Sequence, residues 1–329
     1  MRPGTRWTAL AVVTLACGAR RPDARPRPEP GPLYTAEVLK VSKPVALAGT
    51  MVLAHGGDIL WEGGETRALP LTAVDLDASG DMIGTLMAGD QEAERHGFIV
   101  LGGKLIDLGA GATPAAIDGD VVVGWRGDPA RCTVWWRGEP TDLGVVVGGA
   151  DTCWLDAVRG RRLAGTAYRG DVAVPFVLEG RDVRLLEVPE EVAHWRVRVV
   201  GVAADGAAVG IAWEPYQMDR LTPAGVLWKD ERAVTLSSDG LAFLPAAVNA
   251  EGTIVGQLAE VAYDMSIAVP GPPRGAIYRA GAFLDPEHVA DFGTAPAEFR
   301  TIDACVDVDD AGRILCANHF RRAVLLTPR

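Results

Sequence analysis

The chain has 329 residues, of which 48% are apolar and 23% charged, with 39 Gly and 22 Pro. That excludes a disordered or collagenous chain and leaves either two domains or one large β domain. The formal net charge of −11 comes with no basic stripe, which excludes nucleic acid as a partner, because phosphate binding needs clustered Lys and Arg to release counterions.

In chain order, residues 1–16 read as a signal peptide: Arg2 and Arg6 precede an apolar or neutral stretch over 7–16, which is too short to span a bilayer. Thr14-Leu15-Ala16-Cys17 resembles the bacterial lipoprotein box, which implies lipidation of Cys17; ordinary cleavage near Gly18 or Ala19 is the alternative. Residues 17–32 then carry the lipidated Cys and a linker with Pro22, Pro26, Pro28, Pro30 and Pro32. Such a stretch favours extended polyproline II and spaces the body from a membrane by up to about 45 Å. The expected address is an outer-membrane or cell-surface lipoprotein, with periplasm or secretion as the alternative.

Residues 33–329 form the folded body. Short Val, Ile and Leu runs recur between Gly-containing turns without any sustained 3.6-residue period, so the body is all-β. One unit reads as four strands, with tight turns after the first and third. The first hairpin is clearest at 73–84, 247–256 and 306–316, where Asp77, Asn249 and Asp309 each stand three residues before a glycine. A short polar side chain there caps the turn, and Gly supplies positive φ. Gly80, Gly119, Gly160, Gly206, Gly252 and Gly312 recur at intervals of 39 to 60 residues, the length of a propeller blade. The second hairpin recurs at 97–108, 133–143, 176–186 and 226–236.

Val248-Asn249-Ala-Glu-Gly252-Thr-Ile254-Val-Gly256, His96-Gly97-Phe98, Asp107-Leu108-Gly109, Asp142-Leu143-Gly144 and the ending at 323–328 resemble the HAF-repeat family of bacterial extracellular proteins over roughly residues 69–329. Arg159 and Ala203 replace the turn Asn or Asp in two units. The resemblance implies an exported repeat protein, a propeller, and brings no catalytic residues.

Counting units predicts a seven-bladed β-propeller of four-stranded blades. Its N-terminal copy lies within 45–71, with strands near 49–53, 58–61 and 66–69. The last unit runs out of chain after 322–327, and the β-like segment 34–41 would serve as its outer strand, closing the ring and hiding an edge. A β-sandwich or barrel is the alternative.

After Cys17, four cysteines remain, which in an exported chain favours disulfides. Cys305 and Cys316 flank the 309–312 turn symmetrically and should pair across a hairpin; Cys132 and Cys153 should staple adjacent blades, with free buried thiols as the alternative for each pair. The segments starting at Asp75 and Asp307 imitate the opening of a calcium loop but lack Glu at the twelfth position. No metal or other cofactor is expected.

The tight turns share one side of a propeller, and the long connections 87–96, 189–195, 214–223, 260–274 and 285–299 the other. Long loops on a rigid scaffold are where binding sits. Trp125, Tyr168, Trp213 and Tyr263 follow second strands, with Trp195, Glu214, Tyr216 and Asp219 near them. Rigid amphipathic rings among polar groups make anchors for an extracellular protein or glycan, although packing between blades explains aromatic residues there equally well. A binding or scaffold protein at the cell envelope is the expected function. The alternative is a propeller hydrolase or lyase acting on polysaccharide or peptide, its acid and base drawn from Glu190, Glu191, His194, Glu214, Asp219, Asp264, Glu287 and His288.

Overall fold

The computed structural model describes residues 32–87, 95–213, 223–238, 240–260 and 273–329. Strand β1 (Tyr34–Ser42) comes first, then one antiparallel meander after another. The first meander is β2 (Ala46–Ala48), β3 (Met51–Ala54), β4 (Ile59–Glu62) and β5 (Glu65–Ala68), and the second is β6 (Thr72–Leu76), β7 (Met82–Met87), β8 (Arg95–Leu101) and β9 (Lys104–Ala110). The third runs from β10 (Ala112–Asp118) and β11 (Val121–Arg126) through β12 (Arg131–Trp136) to β13 (Glu139–Gly144). The fourth comprises β14 (Thr152–Arg159), β15 (Arg162–Arg169), β16 (Val172–Glu179) and β17 (Asp182–Leu185).

The next two meanders form one eight-stranded sheet, β18 (Arg196–Val202), β19 (Ala208–Trp213), β20 (Ala224–Lys229) and β21 (Arg232–Ser238), then β22 (Leu241–Val248), β23 (Ile254–Glu260), β24 (Arg274–Arg279) and β25 (Ala282–Leu284). Ser237↔Ala242 and Ser238↔Leu241 join its halves. After a short helix α1 (Pro286–Val289) and β26 (Ala290–Asp291) come β27 (Ile302–Val308), β28 (Ile314–Asn318) and β29 (Arg322–Pro328). Their sheet is completed by β1, which pairs antiparallel with β29 from Tyr34↔Pro328 onward and parallel with β26. The N-terminal unit differs from its sequence reading: Gly49, at φ +60°, turns the chain between β2 and β3, so the expected strand over 49–53 begins only at Met51 and is preceded by a further strand, β2.

Burial follows position within a meander. The three residues of β2 are buried and the four of β17 exposed. The core lies between neighbouring sheets, with Ile83 and Ile99 of the second meander packed with Val122 and Trp135 of the third, and Val177 of the fourth with Val199 and Trp228 of the fifth.

Each first strand from β6 onward carries a β-bulge midway, between Ala73 and Asp75 and again between Leu155 and Ala157. A bulge presses its strand toward the partner, and glycine relieves the pressure. A Cβ on Gly84, Gly124, Gly165, Gly210 or Gly256 would lie 2.3, 2.1, 2.0, 2.5 or 2.0 Å from a first-strand carbonyl oxygen. In the last sheet Cys316 takes this place opposite Cys305, with Cα atoms 3.9 Å apart, and the close approach is occupied by a disulfide.

The second disulfide, Cys132–Cys153, ties β12 to β14 across two sheets, as the sequence predicts. It closes 21 residues, so the Cys132→Ala/Cys153→Ala variant should lose about 3 kcal/mol of unfolding free energy. Denaturant melts check this; equal midpoints would show that the staple is slack.

The turns also follow their residue types. Asp77 Oδ1 accepts from the Ser79 and Asp81 N–H groups, Asn249 Oδ1 from Glu251 and Thr253, and Asp309 Oδ1 from Arg313. These are hairpin turns whose side chains satisfy backbone donors. Where Ala203 replaces the polar residue, backbone bonds run from Ala203 to Ala207 and from Gly206 to Ala203, and Asp205 Oδ1 accepts the Ala207 N–H in place of the missing side chain.

Candidate functional site

The first strands β2, β6, β10, β14, β18, β22 and β27 line one cavity of about 500 Å³. Neighbouring meanders are linked there by bonds spanning one repeat. Asp75 Oδ2 accepts the Ile117 N–H at 3.0 Å, 42 residues on; Asp118 Oδ2 accepts the Gly160 N–H at 2.5 Å; Arg198 donates to Asp156; and Asp307 Oδ2 accepts the Leu47 N–H at 2.7 Å.

On the tight-turn side, Arg159 reaches from β14 to two other sheets, donating from Nη1 to Asp310 Oδ2 at 3.1 Å and from Nη2 to the Val248 carbonyl at 3.3 Å. Asp75 and Asp307 sit deeper, held by backbone N–H groups. Burial, then the negative charge of Asp307, pushes the Asp75 carboxyl up to about 7, and burial pushes Asp307 up to about 6. A second cleft, of about 820 Å³, opens on the same side between the first two meanders, over Met51, Leu60, Met82 and Val100. The strands of β2 to β5 are only three or four residues long, and the longer strands beside them leave this gap. Both cavities open among the tight turns, on the side opposite the long connections.

The other mouth carries aromatic rings. Trp125 ends β11, and its centroid is 6.3 Å from that of Trp154 on β14, whose ring meets Tyr168 edge-on at 5.0 Å. The Arg198 guanidinium lies 5.7 Å from the Trp125 centroid and donates from Nε and Nη2 to one oxygen, Oδ1, of Asp156 at 3.0 and 2.7 Å. Three meanders thus meet at one cluster. Burial raises the pKa of Asp156 despite the pull of Arg198, and raises that of Tyr168 despite Arg196 and Arg198.

Trp125 is half-buried within this cluster. Tyr168 is buried and donates its hydroxyl to the Val197 carbonyl, so it supports Trp154 and offers little surface to a ligand. Trp195 packs against the core around Val192 at the end of a one-turn 3-10 helix, Glu190–Val192, and does not join the cluster. Trp213 is half-buried opposite Arg196 in the ladder. Glu214, Tyr216, Asp219, Tyr263 and Asp264 lie outside the described residues. Of the acid and base candidates, Glu287 accepts the Ile302 N–H, and His288 pairs with Asp285.

Reading along second strands alone misses Trp154, Asp156, Arg159 and Arg198. Their signal is the repeat spacing: 156 to 198 is the same 42 residues as 75 to 117 and 118 to 160. Among the described residues no group of three or more His, Cys, Asp or Glu could hold a metal ion.

No family model matches the sequence, and neither does any curated protein. Solved structures do resemble the fold. The β-propeller domain of the Trilobed protease from Pyrococcus furiosus is 9% identical, with a TM-score of 0.53 over 88% of this chain and 93% of that one. The WD40 β-propeller domain of Doa1 is 9% identical, with a TM-score of 0.45 over 91% and 97%. The acylaminoacyl peptidase of Pyrococcus horikoshii is 10% identical, with a TM-score of 0.47 over 74% of this chain and 44% of that one. At 9% identity the likeness to the Trilobed protease's domain speaks for architecture alone: the chain has the β-propeller fold.

Proposed function

We propose that the chain is an exported binding or scaffold propeller of the HAF-repeat kind, held at the cell envelope by a lipidated Cys17 and the linker that follows. Its ring has seven blades, the last completed by the N-terminal strand. The pairing of β1 with β29 supports that closure, and the two disulfides fit an oxidising compartment. The observation that carries the binding reading is the loop-side cluster, where two half-buried indoles stand beside a guanidinium whose side chain is 45% exposed. Burial at one end and free donors at the other is the composition of an interface anchor.

The test is retention from envelope extract on immobilised protein, wild type against Trp125→Ala/Arg196→Ala, with a glycan and peptide hydrolysis screen alongside. Components held by wild type and released by the variant support the reading. Identical retention by both, or turnover of either substrate class, overturns it.

A further inference from the structure

The central cavity carries more negative charge than its own ion pairs neutralise. Among the charged residues around it, Arg159 is tied to Asp310 and Arg313 to Asp309, while Arg198 holds Asp156 from the wall. Asp75, Asp77, Asp118 and Asp307 complete the charged lining, and the bonds they accept come from backbone N–H groups and the Ser79 hydroxyl. The charge of Arg159 reaches Asp75 and Asp307 through space, with no hydrogen bond to either.

Two observations show that this charge is open to a ligand. Asp75 and Asp307 are half-buried, and each receives one backbone N–H per oxygen, where a carboxylate can accept about four donors. Asp156 is the second: its side chain is 4% exposed, and its Oδ2 has no hydrogen-bond partner among the described residues. A buried acceptor in a cavity wall calls for a ligand that brings a donor. Arg159 Nε is unpartnered too, but the Asp310 carboxylate already meets its guanidinium.

The rest of the lining narrows the class of cation. Among the described residues no group of three or more His, Cys, Asp or Glu could hold a metal ion, and no aromatic side chain lines the cavity to take a quaternary ammonium. Much of the remaining wall is small and apolar, with Val74, Ala116, Ala157, Gly201 and Ala247, a surface suited to a methylene stem. We propose that the central cavity binds a linear aliphatic diamine or polyamine, its ammonium groups on Asp75 and Asp307 and its stem along the first strands. An ammonium group brings three donors and a full charge, and so fills the acceptors that the backbone leaves open. The site is separate from the loop-side cluster and stands without it.

The test is calorimetric titration of the full chain with 1,4-diaminobutane and with magnesium, two cations of equal charge, at one fixed ionic strength. Wild type should bind the diamine at least about tenfold more tightly than magnesium. Its affinity should rise between about pH 5 and pH 8, because Asp75 and Asp307 lose their protons at about 7 and about 6 while the amine keeps its own. Asp75→Asn/Asp307→Asn should bind the diamine at least about tenfold more weakly. Val74→Phe is the second variant: Val74 is 39% exposed and lines the cavity, so a larger ring narrows the space with both carboxyls intact. It should keep its melting temperature and lose affinity by a similar factor. Equal affinity for magnesium and diamine, or diamine binding unchanged in Val74→Phe, would mean general counterion attraction to an acidic chain and overturn the proposal. No binding by wild type overturns it as well, and leaves the cavity to water.

Discussion

Gly165→Ala should cost about 4 kcal/mol or more, enough to leave little soluble folded protein. The added Cβ would lie 2.0 Å from the Trp154 carbonyl oxygen and 2.9 Å from its carbonyl carbon, where nothing flexible can give way. The bulge between Leu155 and Ala157 holds that carbonyl against β15, so the clash clears only if the bulge is undone. Undoing it would also move the Trp154 ring out of the loop-side cluster. Gly160→Ala is the control: its φ is +57°, but a Cβ there meets nothing within 4 Å, so its cost should stay near 1 kcal/mol. Urea melts of the two variants settle the point. If Gly165→Ala were no worse than Gly160→Ala, the bulge would not be the rigid feature described above.

The second large effect is one of pH. Asp75 and Asp307 hold their protons in the fold up to about 7 and about 6, against an ordinary carboxyl value of 3.8. The native chain therefore binds protons that the unfolded chain has already released. The stabilisation is complete below about pH 4 and is lost as pH rises through the two native values, so stability should fall by roughly 2 kcal/mol or more between pH 4 and pH 8. The acidic chain, at −11, adds self-repulsion of the same sign. Asp75→Asn/Asp307→Asn separates the two contributions. An amide NH₂ would face a backbone N–H at each site, so the variant is less stable throughout, but its slope against pH should be shallower. Equal slopes in guanidinium melts at pH 5, 6.5 and 8 would remove these carboxyls as the cause.

Local chemistry made the hairpins readable. Asp77, Asn249 and Asp309 stand where a turn needs an acceptor, and Gly80, Gly252 and Gly312 where it needs positive φ. The two disulfides were readable for the same reason, since each cysteine pair flanks a turn or a unit boundary. The loop-side cluster was less so. Trp125 was picked out because it ends a second strand, but its partners Trp154 and Arg198 come from two other meanders, and nothing near Trp125 in sequence points to them. The sequence context of Asp75 and Asp307 suggests a role the fold does not give them. Their spacing to Asp77 and Asp309 imitates a metal loop, whereas in the fold they accept backbone N–H groups of the following unit, at Ile117 and Leu47. Tyr168 shows the limit of arguing from residue type: its ring is buried and its hydroxyl is used within the protein.

The bonds that join neighbouring units are of several kinds, although the carboxylate on a backbone N–H recurs at Asp75, Asp118 and Asp307. One junction is a carboxylate on a backbone N–H from Asp75 to Ile117, another an ion pair from Asp156 to Arg198, and another a side-chain amide, Asn249, on the Asp309 carbonyl. The ion pair, unlike a bond to a backbone N–H, needs one particular neighbour. Exchanging or duplicating a unit would leave a carboxylate such as that of Asp156 in the wall without its cation, a loss of about 3–5 kcal/mol. At that seam the order of the units is written into the side chains.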